Sequence, residues 1–463
     1  MGNISNWWTF PGFKIEEVAT GFDLPVNLAF VPQPSTDSRA PLCYVTELYG
    51  AIKVVTNDWS VHTYASNLLN YTAEYEIPGS GESGVTGICV EPETGDLFVT
   101  MLYRQGSQIM GKVVRTHSDD GLRMSSAETV IDGIPSTTKA HQIQAVTVGP
   151  DKMLYVNVAD GGESDAAQEM EDYRGKVLRL NLYGAVPADN PVHGSPVYAL
   201  GFRNPFGATW RKSDGSLYVS INGPDRDDIV AKVKPGSNHG WPMTMRTNAL
   251  FVWQYTQAPT ALAFAQDGIF PQEYEDDLFV ALFGNSYLRG RHVKSKKIVK
   301  MTLGLEGGVT SYDEFVTYIG DGPASPCGLA FGHGGLYFTD LHGEIESEGT
   351  RGIGSVYRVS PILRHATSQL EGIMLAESDN YELVESYVYF PPESVDWTYF
   401  SKGAGTKTHP RMGDAQLWDI TVKGRTSRNA AWSYPNPGAG TEHIRGYLSF
   451  AYGETDLRTE RSG

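Results

Sequence analysis

Three polar stretches of the sequence carry residue types that could do chemistry: Lys139–Gln142, Gly201–Gly207 and Asn222–Asp228. The histidine of the first stretch, His141, can act as a general base because an imidazole titrates near neutral pH. Arg203 in the second offers a planar fork of N–H donors to a carboxylate, or to a carbonyl oxygen on which negative charge develops. The Gly223–Pro224 turn in the third can expose backbone carbonyls, which are oxygen ligands of the kind that calcium prefers.

Each of these residues also has an ordinary structural interpretation. A single histidine is often a polar residue satisfied by its neighbours, an Arg-Asn-Pro sequence is often a braced turn, and an aspartate-rich loop is usually just solvated. Their positions make the chemical interpretation worth keeping. The first stretch lies just before a predicted strand at 144–149, the second just before the corresponding strand of the next repeat, and the third directly after a strand. If the repeats are arranged in a ring, these three polar stretches lie at the same end of it, because they occupy equivalent ends of successive repeats.

A six-fold repeat predicts the elements that must position these residues. One short pattern recurs: a turn, an aliphatic residue or Cys, an aromatic, an apolar residue and usually a small one. The steps between its aromatics are 54, 57, 63, 61 and 58 residues, longer than the common propeller blade of about 40–50 residues. Each unit therefore has room for a four-stranded blade and a working loop. The six aromatics are Tyr44, Phe98, Tyr155, Tyr218, Phe279 and Tyr337.

Further strand-like runs surround this pattern in each unit. NLAFVP precedes it and AIKVV follows it in the first unit, as AVTVGP and GKVLRLN do in the third. Up-and-down antiparallel sheets repeated radially form a propeller. We therefore predict an all-β chain with a six-bladed β-propeller over residues 1–360. A β-sandwich array and a solenoid are the alternatives, and a solenoid would need a shorter and stricter repeat.

Composition limits the partners of the protein. A formal net charge of −17 argues against nucleic acid or an anionic membrane and leaves a neutral small-molecule substrate open. The sequence contains no run of about 18 apolar residues, so it predicts no membrane span. Cys43, Cys89 and Cys327 show no metal-ligand spacing. The N-terminal sequence has no basic region followed by an apolar run. It predicts a cytoplasmic protein if residue 1 is the true start, and a secreted or periplasmic one if a signal peptide was removed. The oligomeric state stays open.

Residues 141–242 resemble the soluble pyrroloquinoline-quinone-dependent glucose/sorbosone dehydrogenases, a family that includes aldose and pyranose dehydrogenases. The resemblance is carried by HQIQAVTVGPDKMLYVNVADGG (141–162), GKVLRLNLYGAVPADNP (175–191), YALGFRNPFG (198–207) and NGPDRDDIVAKVKPGSNHGWP (222–242). Weaker agreement runs from GFDLPVNLAF near residue 21 to GSVYRV near residue 354. The fold that the resemblance implies is the same six-bladed propeller.

The resemblance also implies roles for individual residues. His141 matches a catalytic base that takes the proton from a sugar hydroxyl, while the C–H hydrogen leaves as hydride to the quinone. Arg203 matches a residue that contacts the quinone and polarises it. The binding residues implied are Gln142, Asn204, Arg289, Arg291 and Lys294 for the cofactor and Gly223, Pro224 and Asp225 for calcium.

The sequence departs from the family pattern at three places. Ile143-Gln144 stands where a small pair is frequent, Asn222 where a glutamate or glutamine commonly precedes the Gly-Pro turn, and Ala324–Cys327 offers no arginine. The leading hypothesis is a quinone- and calcium-dependent oxidoreductase acting on a sugar-like or other secondary alcohol. Two alternatives remain open. One is a cofactor-free isomerase, lyase or cyclase of a biosynthetic pathway that uses the same pocket. The other is a non-catalytic binding propeller, since fold does not fix function.

Residues 361–463 have a different composition and form a predicted second domain. ESYVYFPPESV, KTHPRMGDAQLWDITV, RNAAWSYPNPG and IRGYLSFAYG resemble domain-of-unknown-function family 427, a small all-β group with a β-tent-like fold. The resemblance implies a fold and no activity. Six polar and aromatic residues could line a pocket there or form a small core: Trp397, His409, Arg411, Asp414, Trp418 and Trp432.

Overall fold

The chain divides into two compact units, Met1–Pro361 and Ile362–Gly463. The computed structural model describes residues 6–72, 82–136, 140–284, 296–304, 308–342, 354–362, 364–384, 387–451 and 453–461. Regular structure in these ranges is strand, apart from five short 3-10 turns at Ser164–Gln168, Gln272–Tyr274, Pro392–Ser394, Trp397–Tyr399 and Glu442–Ile444. Within the same ranges, no helix has the length and apolar character needed to cross a membrane.

The first unit, called the propeller unit below, consists of six antiparallel sheets. Two strands come first, β1 (Trp7–Thr9) and β2 (Phe13–Phe22). Blades 1 and 2 contain β3 (Pro25–Phe30), β4 (Pro41–Glu47), β5 (Ala51–Thr56), β6 (Val61–Ala65), and β7 (Val85–Val90), β8 (Leu97–Gln105), β9 (Gln108–His117), β10 (Ser126–Ser136). Blades 3 and 4 contain β11 (Ile143–Val148), β12 (Leu154–Val158), β13 (Lys176–Leu180), β14 (Val197–Leu200), and β15 (Asn204–Arg211), β16 (Ser216–Asn222), β17 (Asp228–Val233), β18 (Ala249–Trp253). Blades 5 and 6 contain β19 (Pro259–Phe264), β20 (Leu278–Leu282), β21 (Lys297–Leu303), β22 (Val309–Tyr318), and β23 (Pro326–Gly332), β24 (Gly335–Asp340), β25 (Gly354–Pro361).

The N-terminal strands close the ring. β2 pairs with β25 as the outer strand of blade 6, so the blade combines the two ends of the propeller sequence. β1 pairs with β22 and adds a fifth strand to blade 5. The described strands therefore confirm the predicted all-β six-bladed propeller, and the closure shows how its ends are joined.

Side-chain hydrogen bonds join the inner strands of neighbouring blades, and in five blades the donor lies on the second strand. The position two residues after the repeated aromatic is a small polar residue in five blades, and it donates to a backbone carbonyl of the next blade's inner strand. In blade 5 this position is Ala281, and Thr260 on the inner strand makes the equivalent bond instead. The bonds join Thr46 to Thr86 (3.0 Å), Thr100 to Gln144 (2.5 Å), Asn157 to Gly207 (3.2 Å), Ser220 to Thr260 (2.8 Å), Thr260 to Cys327 (2.7 Å) and Thr339 to Val26 (3.3 Å).

Four of the six repeated aromatics pack against an aromatic ring of the next blade. Their rings contact residues near the end of the next blade's inner strand, at centroid distances typical of aromatic pairs. This explains why the sequence repeats an aromatic and not merely an apolar residue. The pairs are Tyr155 with Trp210 (4.8 Å), Tyr218 with Phe264 (5.0 Å), Phe279 with Phe331 (5.5 Å) and Tyr337 with Phe30 (4.6 Å).

The second unit, called the C-terminal unit below, contains two sheets. Its strands are β26 (Arg364–Leu370), β27 (Ile373–Ser378), β28 (Glu382–Val384), β29 (Tyr387–Phe390), β30 (Phe400–His409), β31 (Gly413–Val422), β32 (Arg425–Ser433), β33 (Leu448–Phe450) and β34 (Asp456–Arg461). One sheet has the order β27-β26-β34 and the other β28-β29-β33-β32-β31-β30. Residues from both sheets, among them Ala366, Leu375, Phe390, Ile420 and Phe450, share one buried core.

Candidate active site

Loops of blades 2, 3 and 4 meet at one end of the propeller axis. His141 lies two residues before the inner strand β11, Arg203 directly precedes β15, and the Ala159–Gly162 turn follows β12. The Asp160 N–H donates to the Arg203 carbonyl at 2.7 Å, which joins two of these loops. Both inner strands bulge within their first residues, β11 after Ile143 and β15 after Pro205. The polar stretches containing His141, Arg203 and Asn222 are thus brought together.

His141 forms a pair with a buried aspartate. Its Nδ1 lies 2.7 Å from Asp160 Oδ1, with the imidazole 20% exposed and the carboxylate 3% exposed. Asp160 also accepts from the Gly162 N–H and from Trp241 Nε1, each at 2.9 Å. Burial raises the pKa of Asp160. The hydrogen bond and the charge of His141 lower that pKa, and so do the Gly162 N–H and the charge of Arg203. Their combined effect is larger than that of burial, so the pKa of Asp160 lies below its usual value. An ionised Asp160 assigns the proton of the neutral imidazole to Nδ1, and Nε2 is left as a proton acceptor.

The backbone of His141 adopts a strained conformation. Its φ of 55° lies in the left-handed region, which residues other than glycine rarely occupy. The loop is held there by the His141 N–H, which donates to the Glu82 carboxylate, and by the His141 carbonyl, which accepts from the Gly161 N–H at 3.1 Å. The imidazole is therefore positioned by contacts from blades 2 and 3 together.

Arg203 is held between a turn and an aromatic ring. Its Nη1 donates to the carbonyls of Asn222 (3.0 Å) and Gly223 (2.8 Å). Its guanidinium carbon lies 5.7 Å from the ring centroid of Trp241, within the range of a cation–π interaction. Burial lowers the pKa of Arg203, and the carboxylates of Asp160, Glu82 and Asp228 act against that shift. A guanidinium remains charged under these conditions.

Glu82 connects three blades. Its carboxylate accepts from the His141 N–H and, at 2.9 Å, from Asn204 Nδ2. The other amide atom of Asn204, Oδ1, is buried and has no hydrogen-bond partner among the described residues. A water or a ligand group can satisfy such an acceptor.

The Gln142 amide is bound by the chain itself. Its oxygen accepts from the N–H groups of Ser83 and Gly84, and its nitrogen donates to the carbonyls of Gly84 and Ile143, each at 3.1 Å. These bonds brace the start of β11 against blade 2. A cofactor contact for Gln142 stays a prediction.

The predicted calcium turn lies next to Arg203. A Cβ on Gly223 would lie 2.0 Å from the Arg226 carbonyl, so only glycine fits. The Gly223 N–H donates to Asp228 Oδ1 at 2.7 Å, and its carbonyl accepts from Arg203. Pro224 and Asp225 are exposed, and the Asp225 carboxylate lies 3.5 Å from Arg226 Nε. In the described ranges, no group of three or more His, Cys, Asp or Glu side chains is placed to hold a metal ion.

The basic residues expected to bind cofactor carboxylates, Arg289, Arg291 and Lys294, lie outside the described residues. Lys296, two positions further on, is buried and donates from Nζ to the Gly322 carbonyl at 3.0 Å. Burial lowers the pKa of Lys296.

Three side chains of the site were not singled out from the sequence: Glu82, Asp160 and Trp241. Asp160 carries a recognisable signal, since it directly follows a strand at the end of the ring where His141 precedes one. Glu82 and Trp241 carry none, because each acts on residues more than 30 positions away, in other blades.

The three tryptophans of the C-terminal unit pack into its cores. Trp397 and Trp418 lie 5.0 Å apart at the edge of the shared core. Trp432 is 6% exposed and belongs to a second cluster with Tyr389 and Tyr434. Their indole N–H groups donate to the Pro392 carbonyl, Ser433 Oγ and Tyr389 Oη. These contacts are those of a small-domain core.

The polar residues of the same sequence region lie at one hairpin. His409 Nδ1 accepts from the N–H groups of Arg411 and Met412 at 3.3 Å, and Asp414 accepts from Thr408 Oγ1 at 2.5 Å. Both side chains brace the turn between β30 and β31. The Arg411 residue is exposed. A pocket formed by these residues stays a prediction.

Fold and site together define a six-bladed propeller protein with a histidine–aspartate pair and an arginine at one end of its axis. The family model described as Glucose / Sorbosone dehydrogenase matches residues 22–307, more than half of the sequence, and the chain belongs to that family. Residues 358–461 match the family described as Domain of unknown function (DUF427).

Individual relatives cover parts of the chain. Quinoprotein glucose dehydrogenase B of Acinetobacter calcoaceticus is 35% identical over 135 residues, 24% of this chain and 28% of that protein. An aldose sugar dehydrogenase of Escherichia coli is 23% identical over 189 residues, 35% of this chain and 51% of that protein. The chain thus spans less than two thirds of the length of these curated relatives.

Solved structures match about three quarters of this chain over their own whole length. A putative oxidoreductase (glucose dehydrogenase) of Thermus thermophilus is 26% identical and covers 75% of this chain and 100% of its own, with a TM-score of 0.60. The PQQ-bound form of an aldose sugar dehydrogenase from Streptomyces coelicolor is 22% identical and covers 76% of this chain and 100% of its own, with a TM-score of 0.58. The latter likeness concerns the fold.

Proposed function

We propose that this protein is a pyrroloquinoline-quinone- and calcium-dependent oxidoreductase that oxidises a sugar-like or other secondary alcohol. The observation that carries the proposal is the 2.7 Å contact of His141 Nδ1 with buried Asp160, beside the Arg203 guanidinium. This arrangement leaves a base and a cation at the axis of a glucose/sorbosone dehydrogenase propeller. Relatives named as quinoprotein and aldose sugar dehydrogenases support the cofactor and the substrate class.

The chain supplies acid–base and electrostatic groups. When bound, the quinone would supply an acceptor for the hydride that leaves the alcohol carbon. His141 takes the hydroxyl proton on Nε2, because its Nδ1–H is donated to Asp160. Asp160 stabilises the imidazolium that forms, as the aspartate does in a hydrolase triad. Arg203 provides fixed positive charge where negative charge develops, and no reorganisation is needed because Trp241 and the Asn222–Gly223 carbonyls already hold it.

The residues present fit a ligand with both donor and acceptor groups. The unpartnered Asn204 Oδ1 is a buried acceptor next to Arg203, which is a donor, so these two residues would hold the quinone. Calcium would be held by the carbonyls of Gly223 and Pro224, with Asp225 nearby. The Gly223 carbonyl already accepts from Arg203, but a carbonyl oxygen has two lone pairs and can serve a cation as well.

Reconstitution tests the proposal directly. Pyrroloquinoline quinone plus calcium should raise the Tm of the purified protein, because a ligand that binds only the folded state stabilises it. The loaded protein should reduce a dye with aldoses. Absence of both effects would refute the quinone-dependent function. Turnover of another compound without quinone would point to the isomerase, lyase or cyclase alternative.

A histidine variant tests the role of the base. His141→Gln keeps a polar side chain but cannot take a proton, so we expect dye reduction to fall by at least about a hundredfold. The quinone-induced rise in Tm should remain. His62→Gln, at an exposed position of β6, is the matched control and should leave both measurements unchanged. Wild-type turnover in His141→Gln would disprove general-base catalysis by this residue.

Calcium dependence needs its own measurement. Chelation of calcium from the loaded protein should lower its Tm and its rate of dye reduction, and added calcium should restore both. Asp225→Asn removes one negative charge at the exposed turn and should weaken calcium binding. Equal activity with and without chelator would contradict the calcium part of the proposal and leave the quinone part standing.

A further inference from the structure

Trp241 contacts both groups to which the proposed function assigns chemistry. It lies in the loop between β17 and β18, and its Nε1–H donates to Asp160 Oδ2 at 2.9 Å. The opposite oxygen, Oδ1, accepts from His141 at 2.7 Å. The Arg203 guanidinium carbon lies 5.7 Å from the centroid of the same indole. One side chain therefore joins the base and the cation.

The backbone of Trp241 is fixed from two neighbouring loops. Its N–H donates to the Gly201 carbonyl at 3.0 Å, and its carbonyl accepts from the Gln168 side chain. The amides of Gln168 and Asn238 exchange hydrogen bonds of 3.2 and 2.7 Å. A Cβ on Gly201 would lie 2.2 Å from Asn238 Oδ1, so glycine at 201 permits the close approach. The indole consequently has little freedom to move.

The chemistry of the indole explains what it adds. An indole N–H is only a donor, so it requires Asp160 Oδ2 to be an acceptor and prevents rotation of the carboxylate. Oδ1 is then kept towards His141. The face of the ring carries the negative part of its quadrupole and attracts the guanidinium of Arg203. A variant that lacks only the N–H separates the effect on the Asp160 carboxylate from the attraction of Arg203 by the ring.

We propose that Trp241 is a positioning residue that fixes the Asp160 carboxylate against His141 and the Arg203 guanidinium over its own ring. The catalytic consequence rests on the proposed function, whereas the contact with His141 through Asp160 can be tested without cofactor. Trp241→Phe keeps an aromatic face and removes the donor. Trp241→Leu removes both.

The first test uses proton NMR of the protein without quinone. The His141 Nδ1–H held by Asp160 should give a downfield, slowly exchanging signal, assigned by its loss in His141→Gln. In Trp241→Phe we expect its exchange with water to be about tenfold faster, because a buried hydrogen bond to a charged group has been lost beside it. Trp210→Phe is the matched control. It removes an indole N–H that donates to Thr147 Oγ1 at 3.1 Å, and it should leave the signal unchanged. A wild-type exchange rate in folded Trp241→Phe, or equal acceleration in Trp210→Phe, would overturn the proposal.

The second test uses the loaded enzyme. Trp241→Phe should lower kcat about tenfold with KM unchanged, and Trp241→Leu should lower it further. In a double-mutant cycle, Trp241→Phe should add nothing to Asp160→Asn, since both act through one carboxylate. Additive losses would overturn the proposal. If the wild-type protein shows no quinone-dependent turnover, the proposed function fails, and the proton exchange rates still decide the role of Trp241.

Discussion

Replacement of Asp160 by asparagine tests the arrangement of the candidate site most directly. The carboxylate accepts from His141 Nδ1 and the Gly162 N–H on one oxygen and from Trp241 Nε1 on the other. Asparagine has one acceptor atom, so its NH₂ faces an N–H donor in either orientation: that of Trp241 in one, and that of Gly162 in the other. In the second orientation the NH₂ also faces His141 Nδ1 and favours the other tautomer of the imidazole. A hydrogen bond to a charged group contributes about 1.5–3 kcal/mol. A loss of about 3 kcal/mol from the transition state corresponds to about a hundredfold in rate.

Steady-state kinetics of quinone-loaded Asp160→Asn should therefore show kcat/KM reduced by about a hundredfold. A thermal melt shows whether the variant remains folded. Asp160→Glu is a useful companion, because it keeps the charge while displacing it. A fall of less than about threefold in Asp160→Asn would refute the claim that this carboxylate sets the tautomer of His141.

The stability difference between the wild type and Asp160→Asn should depend on pH. The pKa of Asp160 is lowered in the folded protein, so the folded state binds fewer protons than the unfolded state around the unfolded pKa of about 4. The stabilisation by Asp160 is present above that pKa and is lost as pH falls through the folded pKa. The difference in free energy of unfolding between wild type and Asp160→Asn should shrink below about pH 4. A difference in free energy of unfolding that stays constant with pH would contradict the lowered pKa of Asp160.

Three further predictions concern other parts of the molecule. Thr260→Val leaves the buried Cys327 carbonyl without its donor and should cost about 1–3 kcal/mol, a loss visible in urea unfolding. Exposed Thr310→Val is the control. Burial lowers the pKa of His239 to about 4, so between about pH 6.5 and 4 the unfolded state binds the extra proton and stability falls as pH decreases. His239→Phe should reduce the dependence of stability on pH in this range. An unchanged pH dependence would contradict the role of His239. Residues 362–463 expressed alone should unfold cooperatively, since their sheets share one core. A non-cooperative melt would contradict their independence.

The repeating part of the propeller was predictable because its signals are local. The aromatic of each second strand and the apolar inner strands follow the two-residue period of a strand. Those residues include Tyr155 and Tyr218, which pack on Trp210 and Phe264 of the next blade. The outer strands carry weaker signals, since β10 is largely exposed. The pairing of β1 with β22 depends on residues far apart in sequence, such as Trp7 and Tyr318.

The candidate site was predictable in part. His141 and Arg203 were found because an ionisable residue next to a strand end in two successive blades points to one end of the axis. Trp241 was missed because its contact with Asp160 closes an 81-residue separation that only the fold brings together. Asp160 was missed although it lies only 19 residues from His141 and follows a strand. Gln142 shows a role that sequence alone does not reveal. The resemblance implies a cofactor contact for Gln142, which stays a prediction, and the structure adds that its amide braces backbone groups of blade 2.

The joining of β2 to β25 has a consequence for synthesis on the ribosome. Arg358 Nη2 donates to Glu16 Oε2 at 2.8 Å across 342 positions of sequence. At about 5–20 residues per second, the early strand waits about 20–70 s for its partner. During that delay β25 has not yet been synthesised, and β2 exposes an unpaired edge that can join another nascent chain. With a shortage of chaperones, we therefore expect strand exchange between chains to occur at the β2–β25 pairing.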